Sequence, residues 1–229
     1  MSSHSGYVPK TAFGRWVHTI EETIIAILLG LMTLITFVNV VLRYGFNSSF
    51  IWGLEVTLIC FAWLVLLGIS YGFKVTSHLG VDAVINILPE RGRRITALIS
   101  AACCIVYALL LLKGSWDYWA PFAALQPTEG RWFPTGFTEG VRDRAFYVTD
   151  QVPMLGIFRW LEDAINYGDE YEKLPRVIPY FVLPFSSALI LLRVAQATIA
   201  IIRGEKESLI VSHEAEDAVE QVKEREWAE

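Results

Sequence analysis

Four long runs of apolar residues constrain this chain more than any other feature of its sequence. Residues 23–42 contain no ionisable side chain, and further apolar runs cover residues 54–73, 95–112 and 177–202. An α-helix rises about 1.5 Å per residue, so about 20 apolar residues cross the hydrocarbon core of a bilayer, which is about 30 Å thick. The sequence therefore predicts an all-α integral membrane protein with four transmembrane helices.

The segments outside these runs have distinct patterns. Residues 1–22 form an amphipathic lead-in, which either lies at the membrane interface or is the first turn of the spanning helix. Apolar residues at helical spacing predict a second interfacial helix, in the membrane plane, near residues 79–88. Residues 113–176 form the one long polar loop, and residues 203–229 form an acidic tail.

The positive residues predict the orientation of the chain. The amino-terminal segment, the second connection and the tail together carry ten, whereas the first connection carries only Arg43; the ten are Lys10, Arg15, Lys74, Arg91, Arg93, Arg94, Arg203, Lys206, Lys223 and Arg225. Short loops rich in Lys and Arg stay in the cytoplasm. Both termini are therefore expected to be cytoplasmic, so the long loop lies outside, in the periplasm of a Gram-negative cell.

Composition argues against several classes of function. The net charge is -5 and no basic face is present, so nucleic-acid binding is not expected. Histidines, which could ligate haem, are absent from the predicted spans. No nucleophile with a base and no cluster of metal ligands is evident, so neither an enzyme activity nor a cofactor is expected.

Three charged residues are candidates for structural roles at or within the membrane. Arg43 and Glu55 bracket the short first connection, so they either form an ion pair or both face lipid headgroups. Arg193 lies within the fourth run, ten residues before Arg203, which places it at most about 15 Å deep. It is expected to snorkel, to pair with a partner helix or lipid phosphate, or to serve substrate transport.

His78 and Asp82 are four residues apart on the predicted in-plane helix. They therefore face the same way. A metal site needs more ligands than these two, so contact with a partner protein or a lipid headgroup is expected instead.

The order of several short motifs resembles a known family. These are Asn39-Val-Val-Leu-Arg43-Tyr44-Gly-Phe46-Asn47, Trp52 with Glu55, Gly72, His78-Leu-Gly80-Val81-Asp82, and Pro179-Tyr-Phe-Val-Leu-Pro184. Together they resemble the small membrane subunit, of the DctQ type, of tripartite ATP-independent periplasmic (TRAP) transporters for C4-dicarboxylates. Two departures stand out. Many members carry two adjacent acids where this chain has Leu54-Glu55, and their third loop is usually much shorter.

The resemblance implies a non-catalytic scaffold subunit of a sodium-driven symporter in the bacterial inner membrane. It implies three kinds of partner: a large membrane subunit that carries the substrate and sodium sites, a periplasmic substrate-binding protein, and membrane lipids. The candidate structural or subunit-interface residues are Arg43, Asn47, Trp52, Glu55, His78, Asp82 and Arg193.

Two other classes of function compete with this interpretation. A four-helix anchor of a redox complex would bind haem and show its spectrum in the purified protein. A stand-alone small transporter would move substrate without other subunits.

The predicted orientation can be tested with reporter fusions. A reporter that is active only in the periplasm should be silent when fused after Glu229 and active when inserted near Gly140, because the positive residues retain the termini in the cytoplasm. The opposite pattern of activity would contradict both the orientation and the resemblance.

Overall fold

A computed structural model describes residues 12–75, 89–133 and 143–203 of the chain. The described helices are α1 (Ala12–Gly45), α2 (Gly53–Val75), α3 (Glu90–Trp119), α4 (Trp160–Ile165), α5 (Val177–Tyr180) and α6 (Val182–Ile202), and the described strands are β1 (Val148–Pro153) and β2 (Lys173–Pro175). Within these residues, four helical segments are long and apolar enough to cross a membrane: Gly14–Gly45, Gly53–Val75, Arg91–Ala123 and Val177–Ile202. The four predicted membrane helices are confirmed.

The long helices are arranged as a row. In the main contacts, α1 packs on α2, α2 on α6, and α6 on α3. We call the end of the row at which α1 ends and α2 begins the loop end, because the described part of residues 120–176 lies there, and we call the opposite end the tail end. In a row, the two outer helices α1 and α3 each have one principal neighbour, so much of their surface faces away from the chain.

Small side chains allow α3 and α6 to pack closely. Near the tail end, Ala97 and Ala101 lie against Ala197 and Ile201. Nearer the loop end, Ala108 lies against Ile190 and Val194, and the hydroxyls of Ser115 and Ser187 share a buried hydrogen bond of 2.7 Å. Small residues that bring backbones together are a common basis of helix association in lipid, where the hydrophobic effect does not drive it.

Helix α1 is the least enclosed part of the row. Only 6% of its apolar segment is buried within the chain, against 44% for the segment that contains α6. Its inward side is a narrow stripe, and large apolar residues such as Ile27, Leu34 and Phe37 are exposed. Lipid or another protein must cover them in the membrane.

Several predicted boundaries differ from the structure. The described part of the lead-in is helical and continuous with α1. The third helix continues past residue 112 to Trp119. The last segment is interrupted at Phe181, between α5 and α6, since Pro184 has no N–H to donate to the preceding turn. The predicted in-plane helix, and the tail beyond Arg203, lie outside the described residues.

The described part of residues 120–176 folds into a compact cap on the loop end. Strands β1 and β2 pair antiparallel, which the all-helical prediction did not include. Apolar residues of the cap and of α5 form one cluster, with Phe122, Ala123, Leu161, Tyr171 and Val177 buried. The indole N–H of Trp119 donates to the Val177 carbonyl at 2.9 Å and joins α3 to α5. The Thr128 N–H of the cap donates to Asp117 Oδ1 of α3 at 2.6 Å, so the cap is fixed to the row by a hydrogen bond as well as by packing.

Candidate functional site

One carboxylate joins three of the four long helices near the tail end. Glu21 of α1 accepts hydrogen bonds from Lys74 Nζ of α2 at 2.5 Å and from Arg193 Nη2 of α6 at 2.6 Å. We call these three residues the ion cluster. The Lys74 side chain is 2% exposed, the Arg193 side chain 12% and the Glu21 side chain 19%. The ion cluster is therefore largely buried within the chain.

The physical reason for the cluster is the cost of leaving a charge unpaired in an apolar medium. Each oxygen of Glu21 takes one cation, and Arg193 also donates to the side-chain oxygen of Gln196 at 3.2 Å. Its Nε is buried without a partner among the described residues. The structure thus gives Arg193 a partner helix, one of the alternatives that the sequence left open.

A second polar contact joins α1 and α2 beside the ion cluster. The Tyr71 hydroxyl donates to Glu22 Oε1 at 2.7 Å, and His18 Nε2 lies 3.5 Å from the same oxygen. The rings of His18 and Tyr71 are stacked, with centroids 5.7 Å apart. Two successive acids of α1 therefore contact α2 in different ways, and Glu22 is the more exposed of the two, at 52%.

At the loop end, Glu55 holds the cap. Its carboxylate accepts hydrogen bonds from the backbone N–H groups of Asp150, Gln151 and Val152 at 2.9, 2.7 and 3.2 Å. These three residues are consecutive in β1, and Glu55 lies in the first turn of α2. We call this contact the cap latch. Hydrogen bonds from N–H to a carboxylate are stronger than those between neutral groups.

The cap latch takes the place of an ion pair between Arg43 and Glu55, which was one of the two alternatives that the sequence left open. No such pair forms among the described residues, because the β1 backbone occupies both oxygens of Glu55. Arg43 is exposed in the last turn of α1. Sequence reasoning placed Glu55 at the correct helix end but could not foresee three backbone donors from a strand 95 residues away.

The other candidate residues of the first connection shape the turn between α1 and α2. Asn47 has a φ of 50°, a left-handed conformation that Asn adopts more readily than most residues, and it follows the end of α1. Trp52 immediately precedes α2, and its ring stacks on Phe50 at 5.0 Å between centroids. His78 and Asp82 lie outside the described residues.

Sequence reasoning missed Glu21 and Lys74. A usable signal was present, because a charge such as Arg193 within a span requires a counter-charge at similar depth. In four spanning helices that alternate in direction, the first residues of the first helix and the last residues of the fourth helix lie at the same end. Glu21 and Glu22 are the acids at that end of α1.

In the described part of the chain, no group of three His, Cys, Asp or Glu residues could hold a metal ion.

The ion cluster predicts that Glu21 matters more to stability than its neighbour. Glu21→Gln leaves Lys74 and Arg193 without their carboxylate and should lower the free energy of unfolding by about 3 kcal/mol, the lower end of the range for breaking a buried pair. Glu22→Gln is the matched control and should cost less than about 1 kcal/mol because Glu22 is half exposed. Thermal unfolding of the purified chain in detergent measures both. Equal losses would contradict the assigned role.

The cap latch predicts local loosening of β1 when its acceptor is removed. Glu55→Ala should increase hydrogen–deuterium exchange at Asp150, Gln151 and Val152 and cost about 1.5 kcal/mol, the low end for hydrogen bonds to a charged group. Glu55→Gln should cost less, since its amide oxygen still accepts. Glu170→Ala, an exposed acid of the cap, is the control. Unchanged exchange at the three amides in Glu55→Ala would disprove the latch.

The chain is similar in sequence to known membrane transport proteins. Residues 32–136 match the DctQ component of tripartite ATP-independent periplasmic transporters. A C4-dicarboxylate TRAP transporter small permease protein of Vibrio cholerae is 44% identical over 210 residues, which are 92% of this chain and 83% of the relative. The protein of that name from Pseudomonas aeruginosa is 27% identical over 235 residues, 91% of this chain and 94% of the relative.

A longer protein is similar to this chain over part of its length. The sialic acid TRAP transporter permease protein SiaT of Haemophilus influenzae is 23% identical over 182 residues, which are 77% of this chain but 27% of SiaT. The match to the Vibrio cholerae protein alone, at 44% identity over most of both chains, is sufficient to assign the family. The chain belongs to the DctQ family of small permease subunits of TRAP transporters, which are multi-pass proteins of the bacterial inner membrane and not enzymes.

Proposed function

We propose that this chain is the scaffold subunit of a sodium-coupled importer of C4-dicarboxylates or related organic acids. In this proposal, a large membrane subunit carries the substrate and sodium sites, and a periplasmic binding protein delivers the substrate. The names of the two relatives that match nearly the whole chain support C4-dicarboxylates. The relative named for sialic acid is less similar, at 23% identity.

The observation that carries the scaffold role is the ion cluster. A coupling site for a cation in a membrane needs acidic or carbonyl oxygens that are open to the ion. Both oxygens of Glu21 are instead occupied by Lys74 and Arg193. The charges of the cluster therefore fasten helices to one another. In this proposal, a binding protein and a large subunit supply the sites for substrate and sodium.

The row supports the proposed assembly with a larger subunit. Its apolar faces are wide, and the middle helix α2 exposes a single stripe, formed by Leu54, Leu58, Phe61, Val65 and Ile69. In SiaT, most of the protein lies outside the segment that matches this chain. This is expected if the remainder of SiaT corresponds to the larger subunit with which a separate small chain assembles.

The test is reconstitution of uptake in proteoliposomes. The chain alone should show no uptake of succinate under an inward sodium gradient, because Lys74 and Arg193 occupy both oxygens of Glu21. Addition of the large membrane subunit and of the binding protein should produce uptake, and replacement of sodium by potassium should abolish it. The large subunit with the binding protein but without this chain is the matched control and should be inactive or strongly impaired.

Two outcomes would contradict the proposal in different ways. Uptake by the chain alone would show that it contains a transport site and is not a scaffold. Sodium-dependent uptake by the full assembly of a sugar acid, without competition by succinate, would retain the scaffold role and reject the proposed substrate class.

A further inference from the structure

A polar pocket lies at the loop end of the row, on the connection between α1 and α2. Its volume is about 540 Å³, within the usual range for small-molecule sites. The residues that line it are Asn39, Arg43, Asn47, Ser48, Ser49, Phe50 and Ile51. It is distinct from the cap latch and from the ion cluster, and none of the contacts described above uses Arg43.

The lining of this pocket has the chemistry of a phosphate site. Arg43 supplies a guanidinium, and Ser48 and Ser49 supply hydroxyls. No acidic residue lines the pocket, and Arg43 has no acidic partner among the residues that the structure describes. A guanidinium together with hydroxyl groups recognises phosphate oxygens through charge-assisted hydrogen bonds.

Hydrogen bonds hold the backbone of the turn that carries Ser48 and Ser49. The side-chain oxygen of Asn39 accepts the N–H of Phe50 at 3.1 Å, which leaves its amide hydrogens as donors. The Ser48 N–H donates to the Leu42 carbonyl at 3.0 Å. The left-handed backbone at Asn47 directs the chain from α1 into this turn. The pocket is therefore built from a constrained turn and the last two turns of one helix.

The surroundings of the pocket are those of a lipid headgroup. Tyr44, Phe46 and Ile51 are 83%, 73% and 71% exposed beside it, and exposed aromatic residues at the end of a spanning helix lie at headgroup depth. Exposed Phe37 and Val40 continue along α1 towards the middle of the membrane. A soluble anion would need the polar groups only, whereas a phospholipid also uses the apolar surface below them.

We propose that this pocket binds the phosphate group of a membrane phospholipid, with Arg43 as the principal ligand and the acyl chains against the exposed side of α1. The bound lipid would cover part of the helix that the chain itself encloses least. The proposal depends on the membrane location of the chain and not on the identity of the transported substrate.

The test uses the full-length chain in detergent with a phosphatidylglycerol probe that carries a photoactivatable group in its headgroup. Crosslinks should map by mass spectrometry to residues 39–51. Unlabelled phosphatidylglycerol should compete for them, whereas diacylglycerol with the same acyl chains and inorganic phosphate should not. Competition by inorganic phosphate would show a site for soluble anions, and equal competition by diacylglycerol would show that phosphate is not recognised; either result overturns the proposal.

Substitutions in the pocket test which residues bind the phosphate group. Arg43→Gln should weaken binding of the probe at residues 39–51 about tenfold, as expected when a charge-assisted hydrogen bond is lost. Arg131→Gln, the same change at an exposed arginine of the cap outside the pocket, should leave it unchanged. If Arg43→Gln does not fold, Ser48→Ala with Ser49→Ala keeps the charge and should weaken binding about threefold. Unchanged binding in the pocket variants would overturn the proposal.

Discussion

The shared carboxylate of Glu21 is the interaction on which the position of the first helix depends. Lipid tails are as apolar as the helix surface, so the hydrophobic effect that packs soluble helices does not hold α1 in the row. The enclosed part of α1 is small. The contacts of Glu21 with Lys74 and Arg193 join α1 directly to both middle helices. A displacement of α1 would separate both cations from their carboxylate, and that cost is several kcal/mol in a poorly solvated site.

The two ends of the row are held by different chemistry. At the tail end, charged side chains of separate helices meet, which fixes the lateral order and the register of α1, α2 and α6. At the loop end, Glu55 binds backbone N–H groups of β1, which fixes the cap on the start of α2. Between them, the small residues of α3 and α6 provide close packing. Each part of the described chain is therefore attached to its neighbour by at least one specific contact.

The sequence predicted the elements of the fold much better than their contacts. The four spans and the break near Pro184 follow from local properties, namely run length and a missing N–H. The partner of Arg193 could not be found locally, because Glu21 lies 172 residues away. For Glu55, the sequence indicated an acid near a helix start and left its partner open, and the structure places backbone N–H groups of β1 there. Every residue except proline carries the same backbone N–H group, so a sequence does not show which of these groups converge on a carboxylate.

The distribution of fixed contacts bears on where motion occurs in a transporter that contains this subunit. Sliding α1 by one helical turn moves it about 5.4 Å, which would break both contacts of Glu21 and expose two cations to an apolar environment. Movement of the cap would break three hydrogen bonds to Glu55. Because both changes would break these contacts, the row and its cap are expected to move as one unit. In the proposed assembly, the conformational change that carries substrate across the membrane is then expected in the large subunit, with this row as the surface against which it moves.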